Sequence, residues 1–390
     1  VGCIIGSVLS GLLSDKFGRK LLLIFSGLVF TASAVGTALA GTFTGFVIYR
    51  IIGGVGIGLA SNLSPVYIAE VSPEDIRGRF VSVYQLAIVI GILAAQITNF
   101  AISFGMPDTM TDAQLMQSWY GQVGWRWMFG AETIPAFLFF AMMFVMPESP
   151  RWLVKNDRED DARDVLGSVA GDEYAEFELK DIRETLRNEI GQVNFSDLLE
   201  PRLVKILIIG VVLAVFQQWC GINVIFYYAE NIFQAAGYSL TGIMQNIVTT
   251  GIVNLLFTIV AMCTVDKLGR RGLMLVGSAG LVALFAVLGT CFFFQVQGIF
   301  ILALVLAALA CYAVSLAPVT WVLLSELFPN RIRGAAMAIS VFCLWSANWV
   351  LTQVFPAMDK YVGIAGSFWI FCGICLAGLV YIYIFLPETK

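Results

Sequence analysis

The chain has 390 residues, 59% hydrophobic and 13% charged, whereas soluble domains have about 45–50% apolar and about 25% charged residues. With a mean hydropathy of +0.84, this composition excludes a water-soluble enzyme and a disordered chain and indicates a membrane protein. The net charge of −4 gives no support to nucleic-acid binding, and the lack of histidine removes the commonest metal ligand and general base. We therefore expect no enzyme activity, no metal and no cofactor.

Eleven apolar segments predict membrane helices, since a helix needs about 20 apolar residues to span a bilayer. They cover residues 1–14, 21–41, 45–69, 80–104, 124–146, 203–229, 242–265, 272–296, 298–325, 334–357 and 362–386. The runs are continuously apolar, which favours helices over the alternating strands of a β-barrel. The first is too short to span. The eight cysteines lie in these segments and are expected to be small buried hydrophobic groups.

Positive charges predict which side of the membrane each connection occupies. Twenty of the 23 Lys and Arg fall on one side, which is therefore predicted to be the cytoplasmic side of a multi-pass protein of the cell membrane. That side includes the C-terminus and the long polar segment 148–202. In this segment apolar residues, among them Phe177, recur between charges, which predicts short amphipathic helices; a flexible linker is the alternative.

Three motifs occur twice, in the same order and at nearly constant offset. The pairs are Asp15–Lys20 with Asp266–Arg271, Glu70-x-x-Pro73-x-x-Ile76-Arg77-Gly78 with Glu326-x-x-Pro329-x-x-Ile332-Arg333-Gly334, and Pro147-Glu148-Ser149 with Pro387-Glu388-Thr389. The repeat predicts an N-terminal helix bundle (1–147), a linker (148–202) and a C-terminal bundle (203–390). By comparison with the second copy, about 49 residues are absent before the first, so we expect a fragment that lacks one and a half helices.

An ordered set of motifs also links the chain to a known family. The motifs are Gly11-x-x-x-Asp15-Lys16-x-Gly18-Arg19-Lys20, Pro65-x-Tyr67-x-x-Glu70, Arg77-Gly78-Arg79, Gly124-Trp125-Arg126, Pro147–Leu153, Gln217-Gln218-x-x-Gly221-x-Asn223 and Pro387-Glu388-Thr389-Lys390. Over essentially its whole length the chain resembles the sugar porter family of the major facilitator superfamily, its proton-coupled bacterial members in particular.

The resemblance implies an all-α membrane protein with two six-helix bundles around a midplane cavity. It implies transport of a monosaccharide, a pentose or a hexose, by alternating access and in symport with a proton. The expected partners are the sugar, the proton and the lipid bilayer, and the expected state is a monomer. Two alternatives stay open, a facilitative sugar uniporter and a non-transporting sugar sensor of the same fold.

Amide side chains on the predicted helix 203–229 are candidates for sugar contacts, because an amide both donates to and accepts from hydroxyl groups. Gln217, Gln218 and Asn223 share one broad face of that helix, with Tyr227 one turn beyond. Taken alone, these residues could instead hold helices together within the membrane.

The resemblance favours the sugar site and adds further candidate contacts. These are Gln85, Asn254, Trp321, Trp345 and Asn348. Without the resemblance, Trp321 would equally suit a packing or interfacial role. Leu344 stands where proton-coupled relatives carry a glutamine, and Ala317 replaces the glycine usual before Pro318, so the identity of the sugar stays open.

Arg50 and Glu132 are charges inside apolar segments, where a charge is costly and therefore suggests a function. In proton-coupled relatives the matching arginine pairs with an acid on the first helix, with the matching glutamate nearby. The resemblance thus implies a proton-coupling role, and a purely structural ion pair is the alternative.

Charged residues at the cytoplasmic helix ends resemble an inner gate. The candidates are Asp15, Arg19, Glu70, Arg77, Arg79, Glu148 and Arg151 in the first half, and Asp266, Arg270, Glu326 and Arg333 in the second. In relatives such groups pair across helices in the outward-facing state. The alternative, that they only set topology, explains the basic residues but not the repeated acids. Four glycines, Gly53, Gly54, Gly56 and Gly58, are expected to serve close helix packing.

Overall fold

The computed structural model describes residues 1–107, 112–188, 201–328 and 333–386, with backbone only at 74–79, 81–82, 112, 187–188, 201–202, 265–268, 325–326 and 333. Within these ranges every regular element is a helix. The first ten are α1 (Gly2–Phe17), α2 (Arg19–Leu39), α3 (Phe43–Val71), α4 (Glu74–Ser103), α5 (Asp112–Gln117), α6 (Trp125–Gly130), α7 (Thr133–Val145), α8 (Pro150–Lys155), α9 (Glu159–Ala170) and α10 (Asp172–Asn188). The others are α11 (Pro201–Trp219), α12 (Ile222–Tyr227), α13 (Ala229–Ala235), α14 (Leu240–Leu268), α15 (Arg270–Phe293), α16 (Ile299–Val314), α17 (Leu316–Leu327) and α18 (Arg333–Phe385). A π-helical turn, Tyr120–Gly124, precedes α6.

The predicted spans agree with these helices. Nine stretches of the described chain are long and apolar enough to cross a membrane. The last of them belongs to α18, which has 53 residues and changes direction at Gly363, where φ is 70°. Only glycine adopts such a left-handed φ at little cost, so this residue separates the two segments that the sequence predicts at 334–357 and 362–386.

Three predicted spans contain breaks that the hydropathy pattern does not reveal, one of them at residues 131–132 between α6 and α7. Gly221, with φ 94°, separates α11 from α12, and Ser315 separates α16 from α17. The prediction that Gln217, Gln218 and Asn223 share a face of one continuous helix was therefore wrong in its geometry. The hydropathy of a segment depends on its side chains alone. A short break in the helix changes the backbone conformation and leaves the hydropathy the same.

The described helices form two compact units. The first comprises Val1–Tyr84, Phe129–Ile208 and Leu324–Trp345, and the second comprises Gln85–Met128, Ile209–Leu323 and Ser346–Lys390. The boundaries of the repeat-based bundles at 147 and 202 stay a prediction.

In the first unit, α1 and α3 cross at glycines. A Cβ atom on Gly58 would clash with the carbonyl oxygen of Cys3, and one on Gly54 would lie 2.9 Å from the Cα of Gly2. Because the backbones meet here, Asn62 of α3 reaches Ser10 of α1 with a hydrogen bond of 2.8 Å. The packing expected of the glycines in α3 is thus observed.

The polar segment after α7 folds into the three short helices α8, α9 and α10. Their apolar faces enclose a core of their own, formed by Leu153, Val154, Ala162, Leu166, Ala175, Leu179 and Ile182. The amphipathic helices predicted here are confirmed over 150–188, while 189–200 lie outside the described residues. Phe177 does not join this core, since 72% of it is exposed.

Candidate functional site

The break at Gly221 places polar side chains next to one another in the second unit. A Cβ atom at this position would lie 2.8 Å from the ring of Phe371, so glycine is required by space as well as by its φ of 94°. Gln217 and Gln218 end α11 on one side of the break, and Asn223 lies in the first turn of α12 on the other.

Four amides meet at this break, and we call them the amide cluster: Gln217, Gln218, Asn223 and Asn348. The side-chain oxygen of Gln218 accepts hydrogen bonds from the Nδ2 atoms of Asn223, at 2.7 Å, and of Asn348, at 2.6 Å. Gln218 in turn donates to the oxygen of Gln217 at 3.4 Å. The structure therefore brings together four predicted contacts that come from three helices.

Gln217 links the amide cluster to the second helix break. Its Nε2 atom donates to the backbone oxygens of Leu316, at 3.3 Å, and Ala317, at 3.2 Å. These carbonyls lie directly after Ser315, where the helix is interrupted. Both interpretations of the amides therefore have a physical basis, because Gln217 holds helices together while its neighbours keep bonding capacity for a solute.

At the other edge of the cluster, Asn348 donates to the hydroxyl of Tyr227 at 3.2 Å. Tyr227 is 53% exposed, whereas Asn348 is 8% exposed. The polar network thus runs from buried backbone carbonyls to an accessible aromatic hydroxyl. Such a gradient suits a ligand that is partly solvated when it arrives.

The remaining predicted sugar contacts lie at different places. Gln85, Asn254 and Trp321 belong to the second unit, as the amide cluster does, whereas Trp345 belongs to the first. Asn254 is 4% exposed and Trp321 is 9% exposed, so both are buried in apolar helices. Trp345 has a buried indole N–H without an acceptor among the described residues.

Sequence reasoning missed most of a polar stripe on α14. Asn246, Thr250, Asn254 and Thr258 recur at every fourth residue, and each is at least 93% buried. The spacing of four residues inside an apolar segment was the available signal, since it places side chains along one side of a helix. The Nδ2 atom of Asn246 and the hydroxyl of Thr258 have no hydrogen-bond partner among the described residues.

Arg50 and Glu132 form an ion pair within the first unit, the arrangement that the sequence left open as the alternative to a proton-coupling role. A guanidinium nitrogen of Arg50 lies 3.2 Å from a carboxylate oxygen of Glu132. The side chains are 43% and 48% exposed, respectively. The guanidinium also lies 5.1 Å from the ring centre of Phe129, and that ring packs edge-on against Phe46. Both charges are thus positioned, but neither is sealed from small ions or water.

Four predicted gate residues of the first half meet two residues that were not predicted, Ser149 and Lys155, in a second polar group. We call it the Arg19 cluster: Asp15, Arg19, Glu70, Glu148, Ser149 and Lys155. Arg19 is 8% exposed, and its guanidinium lies 3.0 Å from Glu70 and 3.4 Å from Asp15. The other oxygen of Glu70 accepts a hydrogen bond of 2.5 Å from Ser149. The nearly buried cation therefore has two anionic partners from two helices.

Glu148 stabilises the start of α2 from a distant point in the sequence. Its carboxylate accepts from the backbone N–H of Arg19, at 2.9 Å, and of Lys20, at 3.1 Å. A helix N-terminus has unpaired N–H groups and a partial positive charge, so a carboxylate is favoured there. Gly18 leaves the required space, since a Cβ atom on it would clash with Glu148.

Asp15 lies beyond the apolar segment 1–14, at the end of α1. Burial by itself would raise its pKa, but the hydrogen bond and charge of Lys155, 2.9 Å away, and the charge of Arg19 outweigh burial. The pKa of Asp15 is therefore below its ordinary value, and the carboxylate stays ionised at neutral pH.

Part of the predicted gate cannot be placed. The side chains of Arg77, Arg79, Asp266, Glu326 and Arg333 lie outside the described residues. Arg151 and Arg270 are half-buried, and both have interaction partners.

Comparisons with known proteins agree with this architecture. The family model described as "Sugar (and other) transporter" matches residues 1–390. The D-xylose-proton symporter of Escherichia coli is 40% identical over 414 residues, and the arabinose-proton symporter of Bacillus subtilis is 38% identical over 391. Both alignments cover 100% of this chain and 82% of the relative. The glucose facilitated diffusion protein of Zymomonas mobilis is 34% identical, with coverage of 100% and 83%.

Solved structures give the same assignment. The proton:xylose symporter XylE bound to 6-bromo-6-deoxy-D-glucose superimposes with a TM-score of 0.87 at 39% identity, over 100% of this chain and 84% of that one. The human organic anion transporter MFSD10, at 16% identity and a TM-score of 0.65, supports the fold alone. The chain therefore belongs to the sugar transporter family and is a multi-pass membrane transporter of sugars with the major facilitator fold, not an enzyme.

Proposed function

We propose that the protein carries a monosaccharide, a pentose or a hexose, by alternating access and in symport with a proton. The amide cluster at the Gly221 break is the observation that carries the proposal. Its groups are neutral, and they can both donate and accept, which matches a ring of hydroxyl groups. Neutral hydrogen bonds also exchange between protein and ligand at lower cost than ion pairs.

The proposed sugar contacts combine amides with aromatic surfaces. They are Gln85, Gln217, Gln218, Asn223, Tyr227, Asn254, Trp321, Trp345 and Asn348. Tryptophan rings offer a flat apolar surface to the C–H face of a pyranose or furanose ring, and amides meet its hydroxyl edge. The relatives named for xylose, arabinose and glucose support a site that is specific for monosaccharides.

Proton coupling is assigned to Arg50 and Glu132. The two side chains pair directly, 3.2 Å apart, and both are about half exposed, so small ions and water can reach the pair. Two relatives named as proton symporters, at 38% and 40% identity, support this role. Facilitated uniport is the second candidate, because a relative at 34% identity is named for facilitated diffusion.

The remaining assignments concern the gate and topology. The Arg19 cluster and its counterpart in the second copy of the repeat would hold an inner gate closed, with segment 148–202 and the C-terminus cytoplasmic, in the cell membrane. The protein would act as a monomer with bundles at 1–147 and 203–390. Twenty of 23 Lys and Arg on one side support this orientation.

The test is sugar accumulation by the protein in liposomes of phosphatidylethanolamine and phosphatidylglycerol. An inward proton gradient should drive radiolabelled D-xylose, L-arabinose or D-glucose above its external concentration, and a protonophore should reduce uptake to equilibration. Arg50→Leu should abolish accumulation and spare most of the sugar binding, because the ion pair with Glu132 is lost.

A matched control removes a basic residue for which no carboxylate partner is found in the described part of the chain. Lys360 is exposed and contacts the ring of its neighbour Tyr361, so Lys360→Leu should accumulate sugar as the unmodified protein does. If the unmodified protein equilibrates sugar but never concentrates it, uniport replaces symport. If none of the sugars is bound, the proposal of monosaccharide transport is wrong.

A further inference from the structure

Gln96 is a polar residue in the apolar part of α4 that none of the assignments above uses. Its side-chain oxygen is shielded from solvent, and no hydrogen-bond donor reaches it among the described residues. A carbonyl oxygen in such a place has lost its bonds to water and gained none in exchange, which is unfavourable. A donor from outside the protein would restore the missing hydrogen bond.

The amide of Gln96 is held against the backbone of α14. A Cβ atom at Gly251 would clash with the Gln96 oxygen and would lie 2.9 Å from Leu93, so glycine makes this close approach possible. The backbone of α14 therefore limits the movement of the oxygen on that side. Fixed orientation is what a recognition group needs, because a freely rotating amide loses more entropy on binding.

A second amide lies one turn away along α14. Asn254 follows Gly251 by three residues, which puts it on the next turn of the same helix. It is 4% exposed, and no hydrogen bond to its side chain is found among the described residues. Two helices thus contribute neighbouring amides with free bonding capacity, one of them already a proposed sugar contact.

Gln96 also lies on the same side of α4 as Gln85. The two are eleven residues apart, which is close to three full turns, so they differ by about 20° around the helix axis. Gln85 is already a proposed sugar contact on α4. The face of α4 that carries Gln85 therefore continues along the helix to Gln96, beside Asn254.

We propose that Gln96 is a further sugar-contacting residue, whose side-chain oxygen accepts a hydrogen bond from one hydroxyl of the bound monosaccharide next to Asn254. This inference rests on the proposed function. It makes Gln96 a determinant of specificity, since a sugar with a hydroxyl at that position satisfies the buried oxygen and a sugar without it does not.

The test uses Gln96→Met, which keeps the side-chain length and removes the amide. Affinities of the purified protein for D-xylose, L-arabinose, D-glucose and the series of monodeoxyglucoses are measured by calorimetry. The variant should bind its preferred sugar about tenfold more weakly, as expected for one lost hydrogen bond in a buried site. For one deoxy sugar alone, the one that lacks the hydroxyl in question, the loss should disappear.

Two further variants separate this role from packing. Gly251→Ala should displace the Gln96 amide and reproduce the loss, whereas Gly91→Ala on α4, where a Cβ atom has open space, should not. Thr98→Val is the control for polarity, because that exposed hydroxyl bonds the carbonyl of Ala94 in its own helix.

Unchanged affinity in Gln96→Met, or an equal loss for every deoxy sugar, would overturn the assignment of Gln96. Failure of the unmodified protein to bind any of these sugars would instead reject the proposed function, so the two failures are distinguishable.

Discussion

The Arg19 cluster and the amide cluster are both networks of polar side chains in an apolar protein. They differ in how many of their hydrogen-bonding groups remain accessible to a ligand. In the Arg19 cluster, each oxygen of Glu70 and Glu148 already accepts a hydrogen bond of 2.5–3.2 Å, and only the Nε atom of Arg19 has no partner among the described residues. In the amide cluster, the bonds are neutral, and they end at the half-exposed Tyr227. Charge-assisted bonds suit a structural or gating lock, and neutral amides suit a ligand that must bind and leave.

The largest effect should come from removing an anion of the Arg19 cluster. Glu70→Ala leaves the guanidinium of Arg19, whose side chain is 10% exposed, without its nearest partner. We expect a loss of about 3 kcal/mol in the free energy of unfolding, because an unpaired buried charge is costly. Thermal and denaturant unfolding in detergent micelles measure it.

Lys155→Ala is the matched control within the same cluster. Its ion pair with Asp15 is 2.9 Å long but about half exposed on both sides, so its removal should cost about 0–1 kcal/mol. Similar losses in the two variants would contradict the view that burial of Arg19 sets the strength of this cluster.

In the amide cluster, Gln218→Leu should affect sugar binding more than stability. It removes the oxygen that accepts from both Asn223 and Asn348, and it should weaken monosaccharide affinity by about 1–3 kcal/mol. Calorimetric titration measures this, with Gln245→Leu on the exposed side of α14 as control. Undiminished affinity would leave the amides with a purely structural role.

The helix break at Gly221 offers an effect of similar size, on stability instead of sugar affinity. Gly221→Ala forces a side chain into a φ of 94° and against the ring of Phe371, which should cost about 1–3 kcal/mol in stability. Gly272→Ala, where nothing lies within 4 Å, should be close to neutral. Equal unfolding midpoints for the two variants would show that the break does not depend on glycine.

The smallest effect is the contribution of Asp15 to the pH dependence of stability. Because the folded pKa of Asp15 is lowered, its ionised form stabilises the fold above the ordinary value of 3.8, and this contribution is lost as the pH falls through the lower folded value. Asp15→Asn should thus be slightly less stable than the unmodified protein at neutral pH, and the difference should vanish below the folded pKa. Unfolding midpoints from pH 7 to pH 3 follow it; a difference that grows towards low pH would reverse the sign.

Most of the fold could be predicted from the sequence because lipid imposes one simple requirement, a run of apolar residues of sufficient length. The helix boundaries at Gly18 and Gly363 also have a local cause, a glycine with positive φ. Phe177 is an apolar residue of α10 that does not pack. It lies two residues from Ala175 and from Leu179, about 200° around the axis of α10, so it faces away from the core that these residues form and is 72% exposed.

The candidate site was predictable in its residue types but not in its geometry. The amides of α11 and α12 were found as candidates, yet the contact between Gln218 and Asn348 joins positions 130 residues apart. Gln96 and Asn246 were missed for the same reason. An isolated amide in an apolar segment can bond a neighbouring helix or remain unpaired, and only the packed structure distinguishes the two.

The contact between Glu148 and the start of α2 has a consequence for biosynthesis. The carboxylate and the backbone N–H of Arg19 are separated by 129 residues, so the ribosome must add all of them before the contact can form. At ordinary elongation rates this takes about 6–26 s. During that interval, the unpaired backbone N–H groups in the first turn of α2 have no carboxylate from Glu148 and must bind water or lipid headgroups instead. The N-terminus of α2 therefore reaches its final hydrogen-bonded state late, after the ribosome has synthesised the chain as far as Glu148.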